Sequence, residues 1–220
     1  MNVQQYGDIL VRSRVTILEM LEDRGYDISK YNKVLGSDLV KMLPTDKNPD
    51  SLMMDVLHKT DPERRAIVIY MSQTIKNSVM TYVKRWIEQD HTLGEKAYDI
   101  KNIEYIVMLI PVETVAETFD KAALEAWVSY KFRIQFFNFA SLVNNPKKHV
   151  FQPKFEYVPP ESHKELLKEM YCRSKLQLPI IKFHADMMAR YMGLVPEDIV
   201  KITRPSLSAG EYILYRTCAP

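Results

Sequence analysis

The chain reads as an α/β domain followed by a small α+β unit, and three observations predict that division. Strand-like apolar runs at 66–71, 103–110 and 133–139 alternate with stretches whose apolar residues recur at helical spacing. The run Asn144, Asn145, Pro146 then interrupts the alternation and marks a boundary, so that domains of 1–145 and 146–220 are expected. The charge balance also changes there. Residues 1 to 145 hold 18 Lys and Arg against 20 Asp and Glu, a net of −2, whereas residues 146 to 220 hold 12 against 8, a net of +4.

The first element is a helix. Leu10, Arg14, Ile17 and Leu21 follow an i, i+4, i+7 pattern with Val11, Val15 and Leu18 beside them, which gives one broad apolar face, and Gly25 supplies the stop. From Gly36 to about Pro62, three prolines (Pro44, Pro49, Pro62) with Asp46, Asn48 and Asp50 predict loops with short structured pieces. AIVIYM at 66–71 is a buried strand, and Ile75, Val79, Tyr82 and Trp86 mark the next helix. IEYIVMLI at 103–110 is the second strand. Val115, Phe119, Ala122 and Ala126 mark a further helix, and RIQFFNF at 133–139 is the third strand. This order favours right-handed β-α-β crossovers and a largely parallel sheet covered by helices.

The second part is heavily punctuated. Pro159 and Pro160 stop what precedes them, and Ser162 with Glu165 fits an S-x-x-E capping box opening a helix with Leu166, Leu167 and Met170 on its apolar side, ending near Tyr171. A short helix from about Ala185 to Met192 should close at Gly193, where a left-handed conformation is needed. Ile199–Thr203 and Tyr212–Thr217 read as strands of a hairpin. The segment 204–211 between them, with Pro205, Ser206, Ser208 and Gly210, reads as a long shaped loop.

With 220 residues, 46% hydrophobic and 26% charged, the composition is that of a soluble globular protein. No apolar run approaches the roughly 18 residues of a membrane span, and MNVQQYGDIL lacks the order of a secretory signal, so an intracellular protein with reduced Cys172 and Cys218 is expected. His58, His91, His149, His163 and His184 are scattered, which argues against a zinc site. The +4 surplus suits contact with nucleic acid or an acidic protein surface but falls far short of an autonomous DNA binder.

Catalysis finds little support in the residues. Neither G-x-x-x-x-G-K nor G-x-G-x-x-G occurs, so the backbone cradles that hold nucleotide phosphates are missing. A metal-dependent nuclease would need a lysine two residues after a strand carboxylate; Glu104 is followed by Tyr105 and Ile106, and Glu104 reads as a solvated or edge residue. His184 and Asp186 lie two apart and do not face one another on a helix; Asp186 instead offsets the positive end of the helix dipole. Cys172 reads as filler. Tyr70, Tyr82, Trp86, Phe119, Trp127, Phe136, Phe137 and Phe139 fall on apolar faces and read as core, and the twelve methionines as adaptable packing. No catalytic residue, metal or cofactor is expected.

Three ordered motifs in the last part carry a family resemblance. Leu178, Pro179 and Ile181 match LPxI; Asp186, Ala189, Arg190, Tyr191, Gly193 and Leu194 match DPxARYxGL. Val200, Lys201, Ile202, Arg204, Pro205, Ser206, Ala209, Gly210, Tyr212, Tyr215 and Arg216 match VVKIxRPSxTAGxYxxYR. The chain thereby resembles the fifth-largest subunit of eukaryotic nuclear RNA polymerases, whose C-terminal domain is shared with a small subunit of the archaeal enzyme. The resemblance continues more weakly through RGYDIS at 24–29 and the β-α-β-α-β order. Two departures stand out: Met187 replaces a proline in the second motif, and the family's T-P-S-A turn has Thr114, Val115 and Ala116 as its nearest match.

The resemblance implies a restriction-endonuclease-like jaw domain at 1–145, near downstream DNA, and a C-terminal assembly domain at 146–220. The function implied is that of a non-catalytic structural subunit of a multisubunit DNA-directed RNA polymerase. Its partners would be the largest subunit and neighbouring small subunits, with no membrane association and no homo-oligomer. Candidate contacts to the largest subunit are Arg190, Tyr191, Lys201, Arg204, Pro205, Ser206, Gly210, Tyr212 and Arg216. Thr114, Val115 and Ala116 would be DNA-proximal, a weak expectation given the departure from the motif. The nucleus is the implied location, or a viral factory or virion for a virus-encoded copy. The competing readings are a stand-alone nuclease-like enzyme and a transcription cofactor with a borrowed assembly domain.

Overall fold

The computed structural model describes residues 3–32, 38, 51–110, 117–206 and 208–220. Contacts divide the chain into two compact units, Met1–Asn145 and Pro146–Pro220, and both combine sheets with helices. Among the described residues no helix is long and apolar enough to cross a membrane.

The first unit is built on a four-stranded sheet of β1 (Met54–Leu57), β2 (Arg65–Met71), β5 (Ile103–Leu109) and β6 (Arg133–Asn138), in that order. β2, β5 and β6 are parallel, and β1 runs antiparallel on the edge. Every residue of β5 is buried, as a strand covered on both faces requires, and this is why IEYIVML shows no polar alternation. A separate two-stranded ribbon pairs β3 (Thr92–Leu93) with β4 (Lys96–Ala97). The strand at 54–57 lies in the stretch read from sequence as loops with short pieces; with four residues it is too short to show a period.

Helix α1 (Val3–Asp23) buries Leu10, Ile17, Met20 and Leu21. Val15, placed on the apolar face by spacing, is half exposed, while Arg14 is 4% exposed and donates from Nη1 to the Leu52 carbonyl at 3.1 Å. The helix closes as Tyr26 N bonds to Leu21 O at 3.0 Å and Gly25 N to Glu22 O at 2.9 Å. Gly25 has φ +88°, and a Cβ there would stand 2.6 Å from His58 Nε2, so both conformation and space demand glycine.

Two further helices cover the sheet. α2 (Val79–Glu88) turns Val79, Val83 and Trp86 inward, with the Trp86 ring stacked 6.0 Å from Tyr105. α3 (Glu117–Tyr130) presents Phe119, Ala122, Ala123 and Ala126, and Phe119 meets Phe136 of β6 at 5.0 Å. Trp127, read as core, is only partly buried; the cations of Lys131 and Arg133 lie 5.1 and 5.5 Å from its ring.

Glu104 corrects the sequence reading most sharply. It is neither solvated nor on an edge but 3% exposed on β5, where it pairs with Arg24 and accepts a hydrogen bond from the Tyr26 hydroxyl at 3.1 Å. Arg24 Nη2 also donates to Gln135 Oε1 of β6 at 2.9 Å. Burial, and then the Glu104 charge, push the Tyr26 hydroxyl well above its ordinary range and keep it a donor.

The second unit holds a sheet ordered β7 (Lys154–Val158), β9 (Ile199–Ser206), β10 (Gly210–Ala219) and β8 (Ile180–Lys182). The first three are antiparallel neighbours, and β8 joins β10 in parallel. On one face, α4 (His163–Glu169) contributes Leu166 to a cluster with Leu178, Ile199, Val158 and Tyr215. α5 (Met187–Met192) closes at Gly193, φ +69°, and opens on Asp186, whose Oδ1 accepts from Met188 N at 2.8 Å and Ala189 N at 3.2 Å.

The expected capping box at Ser162 does not form. Pro160–Ser162 is a 3₁₀ turn that runs directly into α4, so Ser162 is itself helical and its side chain makes no cap bond. The box forms instead at Ser174 and Gln177, around the 3₁₀ turn Lys175–Gln177. Residues 204–211 likewise differ from the expected long loop. The ladder extends to Ser206↔Gly210, and Pro205 is tolerated there because β7 has ended opposite Thr203.

These interiors can be tested by substitution and titration. Glu104→Ala removes the carboxylate that meets the buried Arg24 charge and should lower unfolding stability by about 3 to 5 kcal/mol in urea denaturation. Burial pushes the Cys218 thiol up to about 12 from 9.0. The unfolded chain therefore releases that proton first, and this group makes stability fall by up to about 1.4 kcal/mol per pH unit between pH 9 and 12, with no contribution below. The Cys218→Ser variant, titrated in parallel, should lack that slope.

Candidate partner-binding hairpin

The β9–β10 hairpin is set by its ladder. Arg204 pairs with Tyr212, Ile202 with Leu214 and Val200 with Arg216, so these six residues share one face of the sheet. Lys201, Thr203 and Pro205 lie on the other, with Glu211, Ile213 and Tyr215. Away from the tip the first face is covered, since Val200 and Ile202 are buried. Towards the tip it emerges, with Arg204 exposed and Tyr212 55% exposed.

The tip is shaped locally. Gly210 has φ +73° and pairs with Ser206 across the turn. Ser206 Oγ accepts from Ala209 N at 3.3 Å and lies 3.3 Å from Ser208 Oγ. Gly210 has open space around the position of a Cβ, so its requirement is conformational alone.

The nine residues proposed from sequence thus separate by environment. Arg204, Pro205, Gly210 and Tyr212 are exposed at the tip, with Ser206 half-buried beside them. Arg216 is half-buried and donates from Nη1 to the Ile180 carbonyl at 3.0 Å, so it holds β8 against β10. Lys201 is half-buried on the opposite face, 4.0 Å from Glu156, and the Lys154 ammonium bonded to that carboxylate holds it below its ordinary range. Arg190 and Tyr191 lie on α5 at 9% and 2% exposure. Only the tip group offers both open surface and anchor-type chemistry.

Two neighbours escaped the sequence reading. Ile213 is 45% exposed on the opposite face of the tip, and Tyr157 is 46% exposed, its hydroxyl donating to Asp198 Oδ1 at 3.2 Å. The adjacency of Tyr212 and Ile213 in a two-faced strand could have signalled the first, because one of them must leave the covered side. His184 is buried with φ +57°, and the Asp186 carboxylate caps α5. Thr114, Val115 and Ala116 lie outside the described residues. Among the described residues, no three His, Cys, Asp or Glu side chains come together as metal ligands would.

Comparison with known proteins bears on the whole chain. The family model "RNA polymerase Rpb5, C-terminal domain" matches residues 144–218. The chain is similar to the DNA-directed RNA polymerases I, II, and III subunit rpabc1 of Dictyostelium discoideum, with 32% identity covering 95% of this chain and 96% of that protein. It is also similar to the DNA-directed RNA polymerase V subunit 5C of Arabidopsis thaliana, at 27% identity over 93% of this chain and 81% of that protein. Its last part is similar to the DNA-directed RNA polymerase subunit Rpo5 of Archaeoglobus fulgidus, at 48% identity over 31% of this chain and 87% of that protein. With one relative matched nearly from end to end and the family model matched in the second unit, the chain belongs to the Rpb5 family of DNA-directed RNA polymerase subunits.

Proposed function

We propose that this protein is a non-catalytic structural subunit of a multisubunit DNA-directed RNA polymerase. In this reading the unit 1–145 is a jaw module of restriction-endonuclease-like kind near downstream DNA. The unit 146–220 is an assembly domain that packs on the largest subunit beside neighbouring small subunits. The protein has no active site of its own, does not self-associate, and acts in the nucleus, or in a viral factory or virion where a virus encodes it.

The observation that carries the assembly role is the exposed hairpin tip. Arg204 and Tyr212 stand opposite each other on one face, a pairing of guanidinium and phenol that suits the centre of a protein interface. Glu104 supports a structural role for the first unit, because its carboxylate is consumed by Arg24 and Tyr26. The site of DNA proximity proposed from sequence is 114–116.

Affinity purification of the tagged chain from its native source, with mass spectrometry and a promoter-independent RNA synthesis assay, tests the proposal. Stoichiometric recovery with two very large polymerase subunits and synthesis activity is the expected result. A lone monomer that cleaves nucleic acid with added metal would return the enzyme reading, and recovery with regulatory factors alone would favour the cofactor reading. Within this scheme Arg204→Ala with Tyr212→Ala should change the stability of the free subunit by no more than about 0.5 kcal/mol yet reduce recovery of the large subunits at least about tenfold. Tyr191→Ala should behave oppositely, costing about 3 kcal/mol or more of stability because it empties a buried aromatic site.

A further inference from the structure

A second charged feature lies in the first unit, at the end of the sheet where β5 and β6 begin. A cavity of about 250 Å³ opens there, lined among the described residues by Arg64, Lys101, Arg133, Tyr26 and Glu104 together with Asn102 and Ile103. We propose that this cavity is a binding site for a phosphate oxyanion.

The charge arithmetic favours an anion. Glu104 is the acidic residue of the lining, and its charge is met by Arg24 behind it, while the Tyr26 hydroxyl remains a neutral donor. Arg64, Lys101 and Arg133 are left facing the cavity with no carboxylate paired to any of them among the described residues. Of the acids close in sequence, Glu63 pairs with Lys96 at 2.5 Å, and Asp99 and Asp61 accept from the backbone amides of Lys101 at 3.0 Å and Glu63 at 3.1 Å. Unpaired cations at a polar concavity repel each other unless an anion joins them.

Geometry narrows the class of anion. Two half-buried guanidinium groups and one exposed ammonium offer forked and point donors together, which suits the several non-bridging oxygens of a tetrahedral phosphate better than a planar carboxylate. Arg133 is additionally steadied, its Cζ 5.5 Å from the Trp127 ring. The Arg24–Glu104–Tyr26 network forms a rigid wall, so little ordering is lost when an anion enters. The phosphate could be a free ion or a backbone phosphodiester of nucleic acid, and the chemistry at the cavity is the same for both. The site lies within the first unit alone and stands independently of the polymerase reading.

The test is a titration of inorganic phosphate into the full chain in chloride buffer, read by phosphorus NMR line broadening and by the thermal midpoint. Saturable one-site binding is expected. Arg133→Gln should weaken it about tenfold, and the triple variant Arg64→Gln, Lys101→Gln, Arg133→Gln should abolish it. Without phosphate the triple variant should still unfold in one cooperative transition, which separates lost binding from lost folding. A short DNA duplex that displaces phosphate identifies the phosphodiester as the source, and a duplex that does not identifies the free ion. Non-saturable binding, or saturable binding unchanged in the triple variant, overturns the proposal; so does stronger competition by an acidic peptide than by either phosphate source.

Discussion

The buried pairing of Arg24 with Glu104 is the constraint around which the first unit is organised. A carboxylate on the strand flanked by β2 and β6 cannot stay charged without a partner, and the partner comes from the end of a helix that began near the start of the chain. Three sequence features then become one. The Gly25 turn lets the chain reverse so that Arg24 and Tyr26 both reach Glu104, and Gln135 on the neighbouring strand accepts from the second guanidinium nitrogen, Nη2. The RGYDIS stretch is thus a clamp between helix and sheet.

Much of the architecture could be read in advance because it rests on local pattern. A fully buried parallel strand has little choice but an apolar run, and 103–109 shows one. Asp186 and Gly193 bracket a helix for reasons confined to their own backbone torsions. Where a second local pattern intervened, the first one failed. Ser162 precedes Glu165 by three, but the 3₁₀ turn at Pro160–Ser162 makes Ser162 itself helical, whereas Ser174, in extended conformation, caps the turn that follows it. Long-range burial was less legible still. Glu104 looks like a surface residue because its partner Arg24 lies 80 positions away, and the Leu52 carbonyl that satisfies Arg14 lies 38 away.

The candidate interface shows the same division. Motif positions from Arg190 to Arg216 are contiguous in pattern, yet folding sends Tyr191 to the interior, Arg216 to a strand neighbour and Arg204 with Tyr212 to open surface. A shared motif therefore mixes residues that make the domain with residues that make the contact, and side-chain environment is what sorts them. The turn chemistry of Pro205, Ser206 and Gly210 suggested a loop; the ladder instead stiffens the tip almost to its end. A stiff tip presents its anchors with less conformational freedom to lose on association.

The strand order of the second unit has a consequence for how the domain comes into being. β10 is made after β7, β8 and β9, yet it lies between β9 and β8. As the chain is synthesised, β8 has no neighbour in the sheet until β10 arrives, and the hairpin is the event that joins the two halves. Ile181 and Val200, buried in the complete sheet, lack the cover of β10 until then. Nascent chains of this topology carry an open sheet edge through most of their synthesis, which is where a chaperone or an early meeting with a partner would have its greatest effect.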